Sequence, residues 1–124
     1  MSPADLHRFG EIKTVLHLIY EFQKGIRRLV LCTLCPMCAR LVTERLERQG
    51  IGYLMQTAGR RNINLFFGEE SCLAAVGQFI HKPLNQLTPE EDFMLGALLG
   101  YDLSRQCQRY CSRKQQLARP KTPS

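Results

Sequence analysis

The spacing of apolar residues between positions 11 and 24 predicts a helix, with a strand as the alternative. In the segment EIKTVLHLIYEFQK, the side chains of Ile12, Val15, Leu16, Ile19 and Phe22 recur at the spacing of one face of an α-helix. Gly25 follows and can end that helix. Every second residue from position 16 to 22 is also apolar or aromatic, which fits a strand, so both interpretations stay open.

A β-favouring run and an amphipathic helix come next. Residues 27–33, RRLVLCT, are almost continuously apolar after the two arginines, which indicates a strand covered on both faces. Pro36 suits the first turn of a helix, and that helix is predicted to extend to about Gln49, before Gly50. Its apolar stripe comprises Cys38, Ala39, Val42 and Leu46.

Two further strands are predicted to form a hairpin. Residues 52–57, GYLMQT, and residues 62–68, NINLFFG, flank the short connection AGRR, which is typical of a β-hairpin. Alternation in the second strand separates its side chains into two groups, Ile63, Leu65 and Phe67 on one face and Asn62, Asn64 and Phe66 on the other.

The C-terminal third of the chain is predicted to be helical. Residues 69–80 begin with two acidic residues, which a helix N-terminus favours. Thr88 and Glu91 form a capping-box pattern at the start of the next helix, and Gly100 ends it. Asp102 can cap a last helix, whose apolar stripe comprises Leu103, Cys107, Tyr110 and Cys111.

This order of elements predicts a small α+β fold. A strand–helix–strand unit closes right-handedly with its strands parallel, and the hairpin adds an antiparallel strand. We therefore expect a small mixed three-stranded sheet covered by about five helices. A single compact domain would span residues 1–114, with a disordered basic tail at 115–124. A sheet of this size leaves an edge or a face exposed, which a homodimer would cover.

Composition suggests a cytoplasmic protein. Apolar residues make up 44% and charged residues 23% of the 124 residues, as in ordinary globular proteins. The longest apolar run, residues 93–101, is shorter than the roughly 18–20 residues of a membrane span, and no signal peptide is visible. In the cytoplasm, the six cysteines would be reduced, ligating or catalytic rather than disulfide-bonded.

Positive charge is concentrated near the C-terminus. The chain has a net charge of +6, and residues 102–124 contain six basic residues and one acidic residue. This excess favours an acidic partner. The candidate partner-binding residues are Arg105, Arg109 and Arg113 on the last helix and Arg60 and Arg61 at the hairpin tip. Nucleic acid is disfavoured, because no aromatic stacking motif or helix-turn-helix pattern accompanies these arginines.

Three cysteines in LCTLCPMCAR are candidates for chemistry. Cys32, Cys35 and Cys38 are three residues apart, and Pro36 lies between the last two. A helix N-terminus stabilises a thiolate, and C-x-x-C pairs at such positions are found in thiol–disulfide oxidoreductases. Cys35 and Cys38 are therefore the alternative catalytic residues, although no other catalytic or cofactor motif accompanies them.

The same cysteines also permit metal binding. Cys32, Cys35 and Cys38, with Cys107 and Cys111 one helical turn apart on the last helix, are the alternative ligand set for zinc or an iron–sulfur cluster. The ferredoxin pattern lacks its fourth cysteine, and no separate C-x-x-C pair occurs elsewhere in the chain, as a two-knuckle zinc site would require. The simplest alternative is that the cysteines fill the core, as free cysteine often does. That assignment is expected for Cys72, in an apolar helix.

Residues 29–53 resemble the opening of a glutaredoxin. The shared features are an apolar strand, C-P-x-C, an amphipathic helix, and Gly-Ile with an aromatic residue before the next strand. This resemblance implies that Cys35 is the exposed nucleophile and Cys38 the resolving thiol. A glutaredoxin then has a helix between its second and third strands and a Val-Pro pair with a cis-proline. Here a short hairpin loop follows, and no proline occurs between Pro36 and Pro83.

A longer resemblance covers residues 12 to 112. The segments RRLVLCTL, INLFFG and above all LTPEEDFMLGALLGYDLSRQCQRYC resemble a bacterial family of small α+β domains of unknown function. The resemblance implies three strands, about five helices and dimerisation, and it supplies no catalytic residue. It also implies a connection with flavodoxin, an acidic electron carrier to which a basic accessory protein is electrostatically suited.

The leading hypothesis is therefore a cytoplasmic, homodimeric accessory protein without a catalytic centre or cofactor of its own. It would bind an acidic protein partner through its arginine-rich last helix. The alternatives are a thiol–disulfide oxidoreductase using Cys35 and Cys38, and a protein with cysteine-ligated zinc or iron–sulfur.

Overall fold

Five α-helices and three β-strands form the described part of the chain, residues 2–119 of a computed structural model. These elements confirm the α+β class. In chain order they are α1 (Pro3–Gln23), β1 (Leu29–Leu34), α2 (Pro36–Arg48), β2 (Gly52–Ala58), β3 (Asn62–Gly68), α3 (Glu70–Gly77), a short 3-10 helix (Leu84–Gln86), α4 (Pro89–Leu98) and α5 (Leu103–Ala118).

The sheet is antiparallel throughout, so the predicted mixed sheet is wrong. Its strand order is β1-β3-β2, and both outer strands pair antiparallel with β3. β1 and β2 do share one direction, as the strand–helix–strand unit predicts, but the crossover through α2 leaves room for one strand between them. β3 fills that position, which gives a split β-α-β arrangement. β1 and β2 are the edge strands, and their coverage by a second copy stays a prediction.

Helix α1 shows that the helical interpretation of residues 11–24 is correct and the strand interpretation is wrong. The helix also begins earlier than predicted, because Ser2 and Asp5 form a capping box. The Ser2 hydroxyl oxygen accepts a hydrogen bond from the Asp5 backbone N–H at 3.2 Å, and an Asp5 carboxylate oxygen accepts one from the Ser2 N–H at 3.2 Å. Val15 and Ile19 are the buried residues of α1.

The apolar core has two halves, one on each face of the sheet. On the first, the α1–α2 face, Val15 and Ile19 pack with the stripe of α2 and with Leu65 and Phe67. On the second, the α3–α4 face, Phe66 packs with residues of α3 and α4. This division confirms the predicted facing of β3. A row of hydrogen bonds crosses the second face. The side chains of Thr33, Asn64 and Gln56 bond to one another in that order across the three strands. Gln56 also donates to the carbonyl oxygens of Ile80 and Lys82, which connects the sheet to the segment after α3.

The last helix extends further than predicted. α5 reaches Ala118, so residues 115–118, predicted as the start of a disordered tail, are helical. Residues 120–124 of that predicted tail lie outside the described residues. In the described part of the chain, none of the helices combines the length and the apolar character that crossing a membrane requires.

Replacing Gly68 with alanine should destabilise the fold strongly. Gly68 has φ +151°, and a Cβ at this position would lie 2.2 Å from the carbonyl oxygen of Arg28. That oxygen also accepts a hydrogen bond from the Glu69 N–H, so the contact cannot relax easily. Urea denaturation should show that Gly68→Ala lowers the free energy of unfolding by at least about 2 kcal/mol.

The matched control for this substitution is Gly10→Ala. Gly10 lies within α1, and a Cβ there meets no other atom within 4 Å. Because alanine favours a helix more than glycine, this change should raise the free energy of unfolding by about 0.5–1 kcal/mol. Equal effects of the two substitutions would contradict the structural role given to Gly68.

Candidate functional site

Cys35 and Cys38 lie where β1 passes into α2, as predicted. Cys35 is the N-cap of α2, and its Sγ accepts a hydrogen bond from the Cys38 N–H at 3.4 Å. Pro36 occupies the first turn, where a missing N–H costs nothing. Cys35 is partly exposed, whereas Cys38 lies one turn further on and is fully buried. The motif thus combines one accessible and one enclosed sulfur.

Glu11 of α1 joins these two cysteines in a thiol cluster. A carboxylate oxygen of Glu11 and the Sγ atoms of Cys35 and Cys38 all lie within 4.8 Å of one another. Sequence reasoning missed Glu11, because it lies on a different helix far upstream of the motif. One signal was available, since Glu11 precedes the buried Val15 by four residues and so lies on the same face of α1.

The environment of the thiol cluster favours an ionised Glu11 carboxylate and a neutral Cys38 thiol. Burial acts to raise the pKa of Glu11, but the Cys38 and Cys35 thiols and the Cys35 backbone outweigh it, and the pKa lies below its ordinary value. Burial and the proximity of Glu11 and Cys35 raise the pKa of Cys38 to about 12. The Cys38 thiol also points towards the Arg8 carbonyl oxygen at 3.9 Å. Without a compensating cation, Cys38 is a thiol at neutral pH.

Of the remaining cysteines before α4, Cys72 is buried and Cys32 is partly buried. Cys32 lies on β1 against the core of the α1–α2 face, and burial, followed by the Glu11 charge, raises its pKa to about 12. Cys72 is buried in α3 as predicted, and burial raises its pKa as well. Neither residue contributes to the group of ligand atoms formed by the thiol cluster.

An open groove adjoins the thiol cluster. It has a volume of about 430 Å³ and runs between α1 and β1, with Glu11 and Cys32 in its wall. His7 lines the same groove, and its Nε2 lies 3.3 Å from a carboxylate oxygen of Glu11. Glu11 is therefore accessible from this side, while Cys38 is not.

Cys107 and Cys111 are not part of this cluster. Both lie exposed on α5, which packs on α4, and α4 covers the opposite face of the sheet through Leu95 and Leu99. The predicted five-cysteine ligand set is therefore not assembled in the described residues. Cys107 and Cys111 instead line a recess of about 370 Å³, together with Glu90, Phe93 and Tyr110.

Two of the predicted partner-binding arginines attach α5 to α4. Arg109 donates two hydrogen bonds to the Asp92 carboxylate, at 2.7 and 3.2 Å. Arg113 lies 3.3 Å from the same carboxylate and also donates to the Leu87 carbonyl oxygen at 2.9 Å. Lys114 pairs with Glu90 at 3.2 Å. Part of the charge assigned to a partner is thus used within the chain.

The other predicted arginines are exposed. Arg105 follows the N-cap Asp102 on α5 and its side chain is open to solvent. Arg60 and Arg61 are exposed in the turn between β2 and β3. Because Leu34 pairs with Ile63, that turn lies at the Cys35 end of the sheet. The hairpin arginines and the α5 arginines are therefore on different elements and form two separate surfaces.

Alkylation rates should follow the exposure of the cysteines. In the native reduced protein, iodoacetamide should modify Cys107 and Cys111 first and Cys38 last. Burial and a raised pKa should slow Cys38 by at least about tenfold relative to the exposed pair. Mass spectrometry of peptides sampled over time measures the order. All six thiols should react at similar rates in urea, and rapid modification of native Cys38 would contradict the described burial.

Replacing Asp92 with asparagine should loosen α5. The substitution removes the charge that Arg109 and Arg113 share but preserves the size of the side chain. Hydrogen–deuterium exchange should show faster exchange across α5 in Asp92→Asn, with little change in the sheet. Glu44→Gln is the control, because Glu44 makes only an exposed pair with Arg40 on α2. Unchanged exchange in α5 would show that the ion pairs do not attach it.

A family model described as “Protein of unknown function (DUF2023)” matches residues 13–113 of the chain. The match includes both strand segments and the helical run from Thr88 onward on which the longer resemblance rests, and it confirms that resemblance. No curated protein matches the chain.

Proposed function

Because the chain belongs to the DUF2023 family, whose function is unknown, we propose a function from its surface. We infer that it is a binding protein without a catalytic centre of its own and that α5 binds an acidic protein partner. The observation that carries this proposal is the exposure of α5. This helix has 16 residues, none of which is buried.

Most of the apolar side of α5 is uncovered in the described residues, the exception being Tyr110, whose ring packs edge-on against Phe93 of α4. Leu103 is 62% exposed and Leu117 is 72% exposed, and Cys107 and Cys111 between them are exposed as well. These four residues, here called the α5 stripe, recur at helical spacing on one side of the helix. Exposed apolar side chains grouped on one side of a helix indicate an interaction site. The neighbouring recess beside Phe93 extends that surface.

Charge indicates the nature of the partner. From Asp102 to Arg119 the chain has five basic residues and one acidic residue. The pair that Lys114 makes with Glu90 of α4 is at the surface, with both side chains at least half exposed. An exposed pair of this kind contributes little stability, so a carboxylate of a partner can compete for Lys114. A partner surface that complements α5 would therefore combine apolar side chains with carboxylates.

Flavodoxin is the first partner to test. The resemblance to the family implies a connection with this acidic electron carrier, and its charge is opposite to that of α5. Binding of a basic accessory protein to an acidic carrier would be steered by long-range attraction and would weaken as salt screens it. Homodimerisation and a cytoplasmic location accompany this proposal as predictions of the sequence.

Binding to purified flavodoxin should depend on α5. Isothermal titration calorimetry at low and high salt would measure the affinity of the intact chain and of two double variants. Arg105→Glu with Lys114→Glu reverses two charges on α5, and Leu103→Ser with Leu117→Ser makes the α5 stripe polar. Each variant should weaken binding by about tenfold or more, and high salt should affect the charge variant less than the intact chain.

Matched changes away from α5 serve as controls. Arg60→Glu with Arg61→Glu reverses the same number of charges at the hairpin turn, and Met55→Ser removes an apolar side chain that is 51% exposed on β2. Both should leave the affinity nearly unchanged. A larger loss of affinity in the hairpin variant than in the α5 variants would place the interface at the hairpin turn. If the intact chain does not bind flavodoxin at low salt, flavodoxin is excluded as the partner.

A further inference from the structure

The thiol cluster is a metal-ligand arrangement that the proposed binding function does not use. We propose that Glu11, Cys35 and Cys38 bind one zinc ion through a carboxylate oxygen and two thiolate sulfurs. The fourth coordination position would be open to a ligand from outside the chain. This site lies on the α1–α2 face of the sheet, so it is independent of the α5 surface.

The dimensions of the cluster suit a tetrahedral ion. Zinc lies about 2.3 Å from thiolate sulfur and about 2.0 Å from carboxylate oxygen. In a tetrahedral site these lengths separate two sulfurs by about 3.8 Å and a sulfur from an oxygen by about 3.5 Å. The three ligand atoms already lie within 4.8 Å of one another. Side-chain movements of about 1 Å would therefore complete the coordination.

The backbone around the cysteines is already arranged for a ligating sulfur. Cys35 Sγ accepts a hydrogen bond from the Cys38 N–H, which stabilises negative charge on that sulfur. The start of α2 adds the positive end of a helix dipole. Because Cys35 and Cys38 are separated by one helical turn, both sulfurs lie on the side of α2 that faces α1.

An unsatisfied oxygen provides an independent observation. Glu11 Oε2 is buried, and no group in the described part of the chain, the nearby thiols included, meets it in hydrogen-bond geometry. Among these residues, the ionic partner of Glu11 is His7, which binds the other side of the carboxylate and is largely exposed. A buried oxygen of a carboxylate without a partner is costly. A divalent cation between Glu11 and the two sulfurs would satisfy it.

The chemistry of the ligands selects zinc over other common metals. Two thiolates exclude magnesium and calcium, which prefer oxygen ligands alone. The carboxylate distinguishes the site from the all-cysteine sets that bind most iron–sulfur clusters. Zinc accepts sulfur and oxygen together, and sites with three protein ligands have an open fourth position.

Zinc titration of the reduced, chelator-treated chain under anaerobic conditions tests the site. Competition with a chromophoric chelator should give one zinc ion per chain. Cobalt in place of zinc should give a sulfur-to-metal charge-transfer absorption. Cys35→Ser should reduce that absorption, because one of the two thiolates is lost, and weaken zinc binding by about 100-fold or more, while its hydroxyl can still cap α2.

Two further variants separate a ligand from a structural residue. Glu11→Gln should weaken zinc binding by about 10–100-fold yet retain the cobalt–sulfur absorption at saturating metal, because both thiolates remain. Cys107→Ser with Cys111→Ser removes two exposed thiols and should leave zinc affinity and stoichiometry unchanged. Circular dichroism of each variant before titration verifies that α2 is folded.

Three results would overturn the proposal. The first is that the intact reduced chain binds no zinc even when the zinc concentration is well above that of the protein. The second is that Cys35→Ser binds zinc as tightly as the intact chain does. The third is that removal of Cys107 and Cys111 abolishes zinc binding, which would place the metal on α5. Loss of flavodoxin binding in α5 variants, with zinc binding intact, would confirm that the two sites are separate.

Discussion

The fold depends on burying both faces of the central strand β3. Phe66 and Phe67 are adjacent in sequence, point to opposite sides of the sheet, and are both fully buried. Neither face of the sheet can therefore be exposed to solvent, and helices have to cover both. α1 and α2 cover Phe67, and α3 and α4 cover Phe66. The sheet has only three strands, but one of these two aromatic side chains lies within each half of the core.

The thiol cluster is a consequence of this arrangement. β1 pairs with β3 and ends at Leu34, next to the start of α2, so Cys35 and Cys38 are placed at one end of the sheet. α1 crosses the same region, because Val15 and Ile19 are buried in the core that Phe67 occupies. Glu11, one turn before Val15, is thereby brought to the sulfurs. The core thus determines which carboxylate the cysteines meet.

Local signals allowed much of the fold to be predicted from the sequence. The capping box at Thr88, the hairpin and the alternation along β3 depend on neighbouring residues, and all are present in the structure. The pairing of β1 could not be predicted in this way, because no turn links it to β3. The approach of Glu11 to the cysteines was missed because it, too, is a contact between elements that are distant in sequence. A helix dipole favours acidic residues in the first turn of any helix, so their presence at the start of α4 did not indicate that Asp92 would bind Arg109 and Arg113.

The exposure of Cys107 and Cys111 has a practical consequence for work on the purified protein. Two accessible sulfurs on one side of α5 can form disulfides between separate molecules when the protein is handled in air. Such covalent pairs would run at twice the chain mass and would disappear with a reducing agent. Oligomeric state is therefore best measured in the presence of a reductant, so that an oxidation product is not counted as native association.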